Sequence, residues 1–382
     1  MCISNRIGPP VEGTDFFGRT REIRHANKLL DSGHSLLLSA PRRIGKSSLA
    51  KRLIAEKMCV GWKCVYIDLE EVTTEEGFLH MVVAAFAKSG VWKQITTGIS
   101  EGVEKMSIGP VDIKFSRNEE REELYKNLKE LIDHEQDTFI VIDELTLFLG
   151  ILSKASGGQE KVAFILNWLR SLRQISRTKV RWLFCGSVGL RNFTSNLNLG
   201  YTINDLTEFS LDELTREEAH GLLQQLCASE QMSMDGVLID YTLNKLLWNI
   251  PYFIQIIFAE LLELYDDEKA MTAESIDIAY NKLVSENYLT TWSERLVEYG
   301  ELEIPARQIL KSLSSNPAGL SRETLLNMLM TGQESSRVGD MDYLLSKVLR
   351  MLENDGYIMK KEAVRVFRSP LLRDYWFNTF VQ

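Results

Sequence analysis

The stretch "LLLSAPRRIGKSSLAKRL", Leu36 to Leu53, decides the fold class, because an apolar strand, a glycine–lysine turn and a helical pattern follow one another directly. The run "LLLS" is continuously apolar, as expected for a strand covered on both faces. After the turn, Leu49 and Leu53 recur at helical spacing. The turn fits the pattern G-x-x-x-x-G-K-[ST] except at its first position, where Ala40 replaces glycine. The sequence therefore predicts a strand–loop–helix unit that binds phosphate groups.

The residue types of this loop indicate how each would contact a phosphate group or Mg²⁺. Gly45 lets the backbone approach an anion, and the first amides of the following helix favour negative charge. Lys46 is expected to reach the β- and γ-phosphates, and Ser47 to ligate Mg²⁺. The other residues predicted to line the phosphates are Pro41, Arg42, Arg43, Ile44 and Ser48.

Two alternatives remain open for this loop. A glycine–lysine turn also occurs in ordinary strand-to-helix connections, and the two arginines are equally consistent with exposed charge at a loop tip. Ala40 is compatible with phosphate binding if its φ is negative, and Pro41 favours an extended conformation at Ala40.

A second strand end carries two acids. "FIVIDEL" closes an apolar run with Asp143 and Glu144, where a metal-bridging and a water-activating carboxylate are expected. The alternative is a solvated strand end. Because ligands of parallel sheets bind at the carboxyl ends of the strands, loop and acids together predict an ATP site.

Hydrophobic patterning predicts three domains: residues 1–208 as a P-loop ATPase core, 209–297 as a helical lid and 298–382 as a winged helix with a hairpin at "GYIMKKEAVRVFRS". Capping-box spacing marks three helix starts, at Thr73 with Glu76, at Ser116 with Glu119 and at Thr215 with Glu218. The predicted strands of the parallel sheet are Ser35–Ser39, Cys64–Leu69, Phe139–Asp143 and Val180–Gly186.

Composition excludes several classes of protein. The five cysteines are scattered and odd in number, so neither a disulfide framework nor a zinc site is indicated, and a cytoplasmic location is expected. The five histidines show no metal-ligand spacing. The longest apolar stretch, "YFIQIIFAELLELY", is too short to span a bilayer, which predicts no membrane partner. A net charge of −9 argues against a chain-wide nucleic-acid surface.

Several motifs in order, "FFGRTREI", "APRRIGKSSL", "FIVIDEL", "FCGS", "IPYF" and the C-terminal "VLRMLENDGYIMKKEAVRVFRSPLLRDYW", resemble the archaeal-type ATPases of the AAA+-related STAND branch. The layout is also similar to origin-recognition-type initiators. The resemblance implies an α/β P-loop NTPase fold (ASCE/AAA+-like), with a helical lid and a C-terminal winged helix, that uses ATP or ADP with Mg²⁺. It also implies that Phe17, Gly18 and Arg19 contact adenine, that Ser187 is a catalytic sensor, and that Pro251 contacts the nucleotide from the lid. The family's lid glycine is replaced by Asn249.

The same resemblance implies an adenine nucleotide as ligand and a separately encoded effector protein as partner, and it leaves room for a homo-oligomer and for DNA. An arginine from a neighbouring subunit often completes such sites, for which Arg170, Arg173 and Arg191 are candidates. Residues 356–382 carry five basic and two acidic side chains, a local charge of 5 − 2 = +3. Three functions are therefore weighed: an ATP-hydrolysing switch, a nucleotide-binding scaffold with negligible turnover, and a DNA-binding regulator.

Overall fold

The computed structural model describes residues 3–89, 118–132, 134–186, 189–268, 270–331 and 338–382. The chain divides into two compact units. One comprises Met1–Gly18, Pro41–Gly45 and Asp212–Gln382, and the other Arg19–Ala40 and Lys46–Leu211. We call them the lid unit and the sheet unit.

The sheet unit contains a five-stranded parallel sheet with strand order β2-β3-β4-β1-β5. The parallel α/β core expected from the sequence is confirmed. Its strands are β1 (Leu36–Ser39), β2 (Lys63–Asp68), β3 (Thr138–Asp143), β4 (Val180–Gly186) and β5 (Thr207–Phe209). Its helices are α1 (Thr20–Asp31), α2 (Lys46–Cys59), α3 (Glu75–Ser89), α4 (Asn118–Leu131), α5 (Leu145–Ser153), α6 (Gly158–Arg173) and α7 (Leu190–Asn196).

Both faces of this sheet are covered, which explains the continuous apolar strands. On one face, Ile140 and Trp182 join a buried cluster with residues of α3 to α6, such as Phe78 and Phe148. On the other face, α2 packs against β2, β3 and β4. Every residue of β3 is buried in consequence.

The structure differs from the sequence-based expectation at two places in the sheet unit. The strand β5 was not predicted, because three residues, Thr207–Phe209, are too few to give a hydrophobic period. The core boundary at residue 208 stays a prediction. The cap predicted at Thr73 lies one residue later, because Thr74 Oγ1 accepts the hydrogen bond of the Gly77 amide at 3.1 Å. The cap predicted at Ser116 lies outside the described residues.

The lid unit is mainly helical. Its capping box at Thr215 and Glu218 is present as predicted, and so is the antiparallel hairpin near the C-terminus. The helices are α8 (Arg216–Ser229), α9 (Gly236–Leu246), α10 (Pro251–Glu268), α11 (Ala273–Ser285), α12 (Thr290–Glu294), α13 (Glu303–Ser314), α14 (Arg322–Met330), α15 (Val338–Asn354) and α16 (Pro370–Phe380), and the strands are β6 (Leu320–Ser321), β7 (Ile358–Lys361) and β8 (Val364–Phe367).

A run of aromatic side chains forms part of the lid-unit core. Trp248 contacts Trp292 at 5.7 Å between ring centroids, Trp292 contacts Tyr357 at 5.3 Å, and Tyr357 contacts Trp376 at 5.9 Å. Such edge-to-face pairs add to the burial of large apolar surfaces. The separation of this unit into a lid and a winged-helix domain at residue 297 stays a prediction. In the ranges that the structure describes, no helix is both long and apolar enough to span a bilayer.

Candidate phosphate site

The loop between β1 and α2 has the backbone that its sequence requires. Gly45 has a φ of 101°, which an L-residue with a side chain rarely adopts. Ala40 keeps a negative φ. The methyl group at Ala40 therefore fits the loop without backbone strain.

Lys46 lies at the first position of α2 and is buried, with 6% of its surface exposed. Its Nζ donates a hydrogen bond to the Ala40 carbonyl oxygen at 2.9 Å. A buried ammonium group is costly without an acceptor. This bond satisfies the ammonium group and keeps the Lys46 side chain folded back over the loop, toward Ala40. Ser47 is half-buried and Ser48 is buried at the same helix start.

The two acids at the end of β3 are in different environments. Asp143 is only 2% exposed, so it is not a solvated strand end. Its Oδ2 accepts a hydrogen bond from the Tyr66 hydroxyl at 2.7 Å, and its Oδ1 accepts one from the Glu144 amide at 3.0 Å. Glu144 is half-buried, with a φ of 52° at the residue before α5. Its left-handed conformation turns the chain from β3 into α5.

The strand order brings the loop and the acidic pair to the same part of the sheet. β4 lies between β1 and β3, with Cys185 opposite Leu38 and Phe184 opposite Ile142. Burial raises the pKa of the Cys185 thiol well above its usual value; Asp143 raises it further, Lys46 lowers it, and Glu144 raises it. Lys46 and the two acids therefore lie at the carboxyl edge of one sheet. Ser187, predicted as the sensor just after β4, lies outside the described residues.

The tip of the loop packs within the lid unit. Arg43, with a φ of 66°, lies over the ring of Tyr252 at 4.6 Å and donates a hydrogen bond to the Gly8 carbonyl oxygen at 3.2 Å. These contacts offset a strained conformation that typically costs about 1–2 kcal/mol. Arg43 is therefore not a free charge at a loop tip. Arg42 and Pro41 are half-buried, and Ile44 is buried.

Pro41 contacts the C-terminal part of the lid unit. A Cβ added at Gly356 would lie 3.0 Å from Pro41 Cβ and 2.5 Å from Trp248 Cη2. A side chain at position 356 is excluded by these short distances, and the φ of 81° at Gly356 also favours glycine. Pro41 of the phosphate loop and the indole of Trp248 thus both lie close to Gly356, in the turn before the hairpin.

The residues predicted to contact adenine are placed as follows. Phe17 packs on α8, where a Cβ at Gly221 would lie 3.0 Å from Phe17 Cζ. Gly18 has a φ of 70°. Arg19 precedes α1, is 3% exposed and donates to Glu22 Oε1 at 3.3 Å. Their contact with adenine stays a prediction.

The lid motif begins a helix as predicted. Pro251 is the first residue of α10, and its Cγ lies 4.0 Å from the position of a Cβ at Gly45. Asn249 is buried, and its Oδ1 has no hydrogen-bond partner among the described residues. Its backbone carbonyl accepts from the Leu214 amide at 3.0 Å.

The other candidates have structural partners. Arg173 pairs with Asp205 at 2.8 Å, Arg170 donates to the Tyr201 carbonyl oxygen, and Arg191 pairs with Glu208. Across the described ranges, no group of three or more His, Cys, Asp or Glu side chains has metal-site geometry. A magnesium ion here would depend on the nucleotide for part of its coordination.

Residues 30–193 match the family model of the AAA domain. The match includes the phosphate loop, Asp143 and Glu144, so this part of the chain has the sequence features of a P-loop ATPase.

Solved structures agree with this assignment at the level of the fold. A Walker-type ATPase of Pyrococcus abyssi is similar with a TM-score of 0.66 and 16% identity, covering 97% of this chain and 99% of that one. The ORC2 protein of Aeropyrum pernix, solved as ADPNP–ADP complexes, has a TM-score of 0.53 and 13% identity, covering 98% and 95%. No curated protein matches the chain in sequence. The likeness in fold therefore covers nearly the whole chain.

Sequence reasoning missed Tyr66, Tyr252 and Gly356. Tyr66 gave one weak signal, a hydroxyl-bearing residue between two aliphatic residues and two positions before Asp68. Tyr252 and Gly356 gave none, because their contacts join distant parts of the chain.

Proposed function

We propose that the protein is a Mg²⁺-dependent ATP-binding and ATP-hydrolysing switch that acts with a separately encoded partner protein. The observation that carries the proposal is that buried Lys46 and buried Asp143, with Glu144 next to it, follow β1 and end β3, the two strands on either side of β4. Buried charges of opposite sign at the carboxyl ends of parallel strands are typical of a site that binds a charged ligand.

Each side chain has a distinct role in this proposal. Lys46 exchanges the Ala40 carbonyl for phosphate oxygens and neutralises their charge. Ser47 and Asp143 would hold Mg²⁺, and their hydroxyl and carboxylate oxygens are ligands that this ion prefers. When bound, the ion neutralises charge that develops between the β- and γ-phosphates. Glu144 orients the attacking water and accepts its proton.

The donor set fits a Mg·nucleotide complex. Gly45, at a φ of 101°, leaves the helix start without a side chain facing the loop, and the first amides of α2 favour an anion. Asp143 is preoriented by two donors, one on each oxygen. The chain thus offers an anion cradle and a fixed carboxylate on neighbouring parts of one sheet edge.

Calorimetry with ADP and Mg²⁺ tests this proposal directly. We expect the parent protein to release heat on binding, and Lys46→Ala to bind about 10- to 100-fold more weakly, because a charged hydrogen-bond partner of the phosphates is removed. Lys57→Ala is the matched control, since Lys57 is a buried lysine of the same helix that pairs with Asp31. Equal affinities of Lys46→Ala and the parent would contradict the proposal.

A scaffold with negligible turnover stays a candidate because of Asn249, whose Oδ1 is buried without a partner in the described part of the chain. A lid built differently from the family's pattern can bind a nucleotide without completing the hydrolytic site. Tightly bound ADP together with no phosphate release from ATP and Mg²⁺ would favour this second function.

DNA binding by the C-terminal hairpin is expected to be weak. Ion pairs involve three of the five basic residues that gave this region its local charge of +3. The pairs are Arg365 with Glu353, Arg368 with Glu213, and Arg373 with Asp374.

The salt dependence of duplex binding reports how many basic side chains of this region contact DNA phosphates. Arg350, Lys360 and Lys361 are exposed, and three phosphate contacts give a slope of log Kobs against log salt of about −3 at most. A slope near −6 would instead indicate a DNA interface that uses charges beyond these three.

A further inference from the structure

The edge strand of the sheet contributes a hydroxyl group to the acidic pair. Tyr66 belongs to β2, the strand at one edge of the sheet, and its side chain is half-buried. Its hydroxyl donates to Asp143 Oδ2 at 2.7 Å. Because the Glu144 amide occupies Oδ1 at 3.0 Å, the two bonds reach opposite oxygens of one carboxylate. Such a pair of donors fixes the rotation of the carboxylate plane.

The strand register makes this contact possible. Tyr66 lies opposite Val141 of β3, and Asp143 is two residues further along the same strand. Residues two apart in a strand point to the same face, so Tyr66 and Asp143 are diagonal neighbours on one side of the sheet. The neighbours Val65 and Ile67 point to the opposite face, in the buried cluster.

That side of the sheet is the one covered by the helix of the phosphate loop. The Nζ of Lys51, in α2, lies 5.7 Å from the centre of the Tyr66 ring, and α2 packs against β2. The tyrosine therefore connects the helix that begins at Lys46 with the carboxylate at the end of β3. A phenylalanine would fill the same space, so packing alone does not require the hydroxyl group.

We propose that Tyr66 is a positioning residue that orients the Asp143 carboxylate toward the magnesium ion of a bound nucleotide. The inference rests on the proposed function, since it assigns Asp143 to the ion. Hydrogen-bond partners of metal-ligating carboxylates typically change metal affinity by 10- to 100-fold when they are removed. Tyr66 therefore belongs to the metal site through Asp143, without contacting the ion.

The test compares ADP binding in excess MgCl₂ with ADP binding in EDTA, both by calorimetry. The ratio of the two affinities measures how much the ion contributes. We expect Tyr66→Phe to lower this ratio about 10-fold and to leave the affinity in EDTA unchanged, because metal-free ADP does not use Asp143.

Tyr280→Phe is the matched control. The Tyr280 hydroxyl donates to Asp374 Oδ2 at 2.7 Å in the lid unit, so the change removes the same kind of bond at the same length from a place outside the acidic pair. Its ratio should equal that of the parent. A lower melting temperature in both variants would not affect the comparison, because each affinity is measured on folded protein.

A Tyr66→Phe ratio equal to or above the parent ratio would overturn the positioning role. The same holds for affinities that fall equally in MgCl₂ and EDTA, since that result indicates only a structural effect. If the parent itself fails to bind ADP, the proposed function is wrong and the assignment of Tyr66 is wrong with it.

Discussion

The Glu144→Gln protein is expected to bind ATP nearly as tightly as the parent and to hydrolyse it about 10² to 10⁴ times more slowly. The amide keeps the size of the carboxylate and can still orient a water molecule, but it cannot accept a proton. The backbone amide of residue 144, which donates to Asp143 Oδ1, is unchanged by the substitution. The carboxylate of Asp143, which we propose as a ligand of Mg²⁺, should therefore keep its position.

Steady-state phosphate release and nucleotide affinity must be measured on the same preparation. Glu71→Gln is a suitable control, because Glu71 follows β2 and is exposed, so it gives the same change in charge outside the acidic pair. Unchanged turnover in Glu144→Gln would contradict the role of general base. A parallel loss of affinity and turnover would indicate that the residue mainly supports the fold.

The second large effect is expected at Gly356, where alanine should lower the free energy of unfolding by about 2–5 kcal/mol. Two terms add up. A φ of 81° strains any L-residue, and the new Cβ would lie 2.5 Å from Trp248 Cη2 and 3.0 Å from Pro41 Cβ. The indole is fully buried and cannot move aside easily. We also expect weaker ADP binding, because Pro41 belongs to the phosphate loop.

Gly13→Ala separates the two terms. Gly13 belongs to the same unit and also has a positive φ, but no heavy atom lies within 4 Å of its added Cβ. It should lose only the backbone term, about 1–2 kcal/mol, and keep its ADP affinity. Urea denaturation and calorimetry of both variants give the comparison. Equal losses of stability in the two variants would show that the contact with Trp248 is unimportant.

Local patterns predicted the sheet because its longer strands are rich in apolar residues and β3 is continuously so. The same reasoning failed for β5, whose sequence Thr-Glu-Phe has no period to detect. The acidic pair was found because two acids rarely end a buried strand. Tyr66 was not found, because its bond to Asp143 depends on a register between strands 77 positions apart in the sequence.

Ala40 shows that a departure from a consensus motif has to be judged by the backbone conformation at that position. A consensus motif requires glycine there, yet the sign of φ decides whether a methyl group is tolerated, and φ at Ala40 is negative. Gly356 illustrates the opposite case. Nothing in the surrounding "ENDGYI" distinguishes it from an ordinary turn glycine, because the indole and the proline that exclude a side chain come from elsewhere in the chain.

The aromatic run through the lid unit also gives the protein an intrinsic optical reporter. Trp248 lies beside the same turn as Pro41, and the guanidinium of Arg368 stacks 4.9 Å from the centre of its ring. Indole emission responds to nearby charge and packing, so a shift of the loop changes the quantum yield of this fluorophore. Ligand titrations can thus be followed on unlabelled protein by ultraviolet excitation.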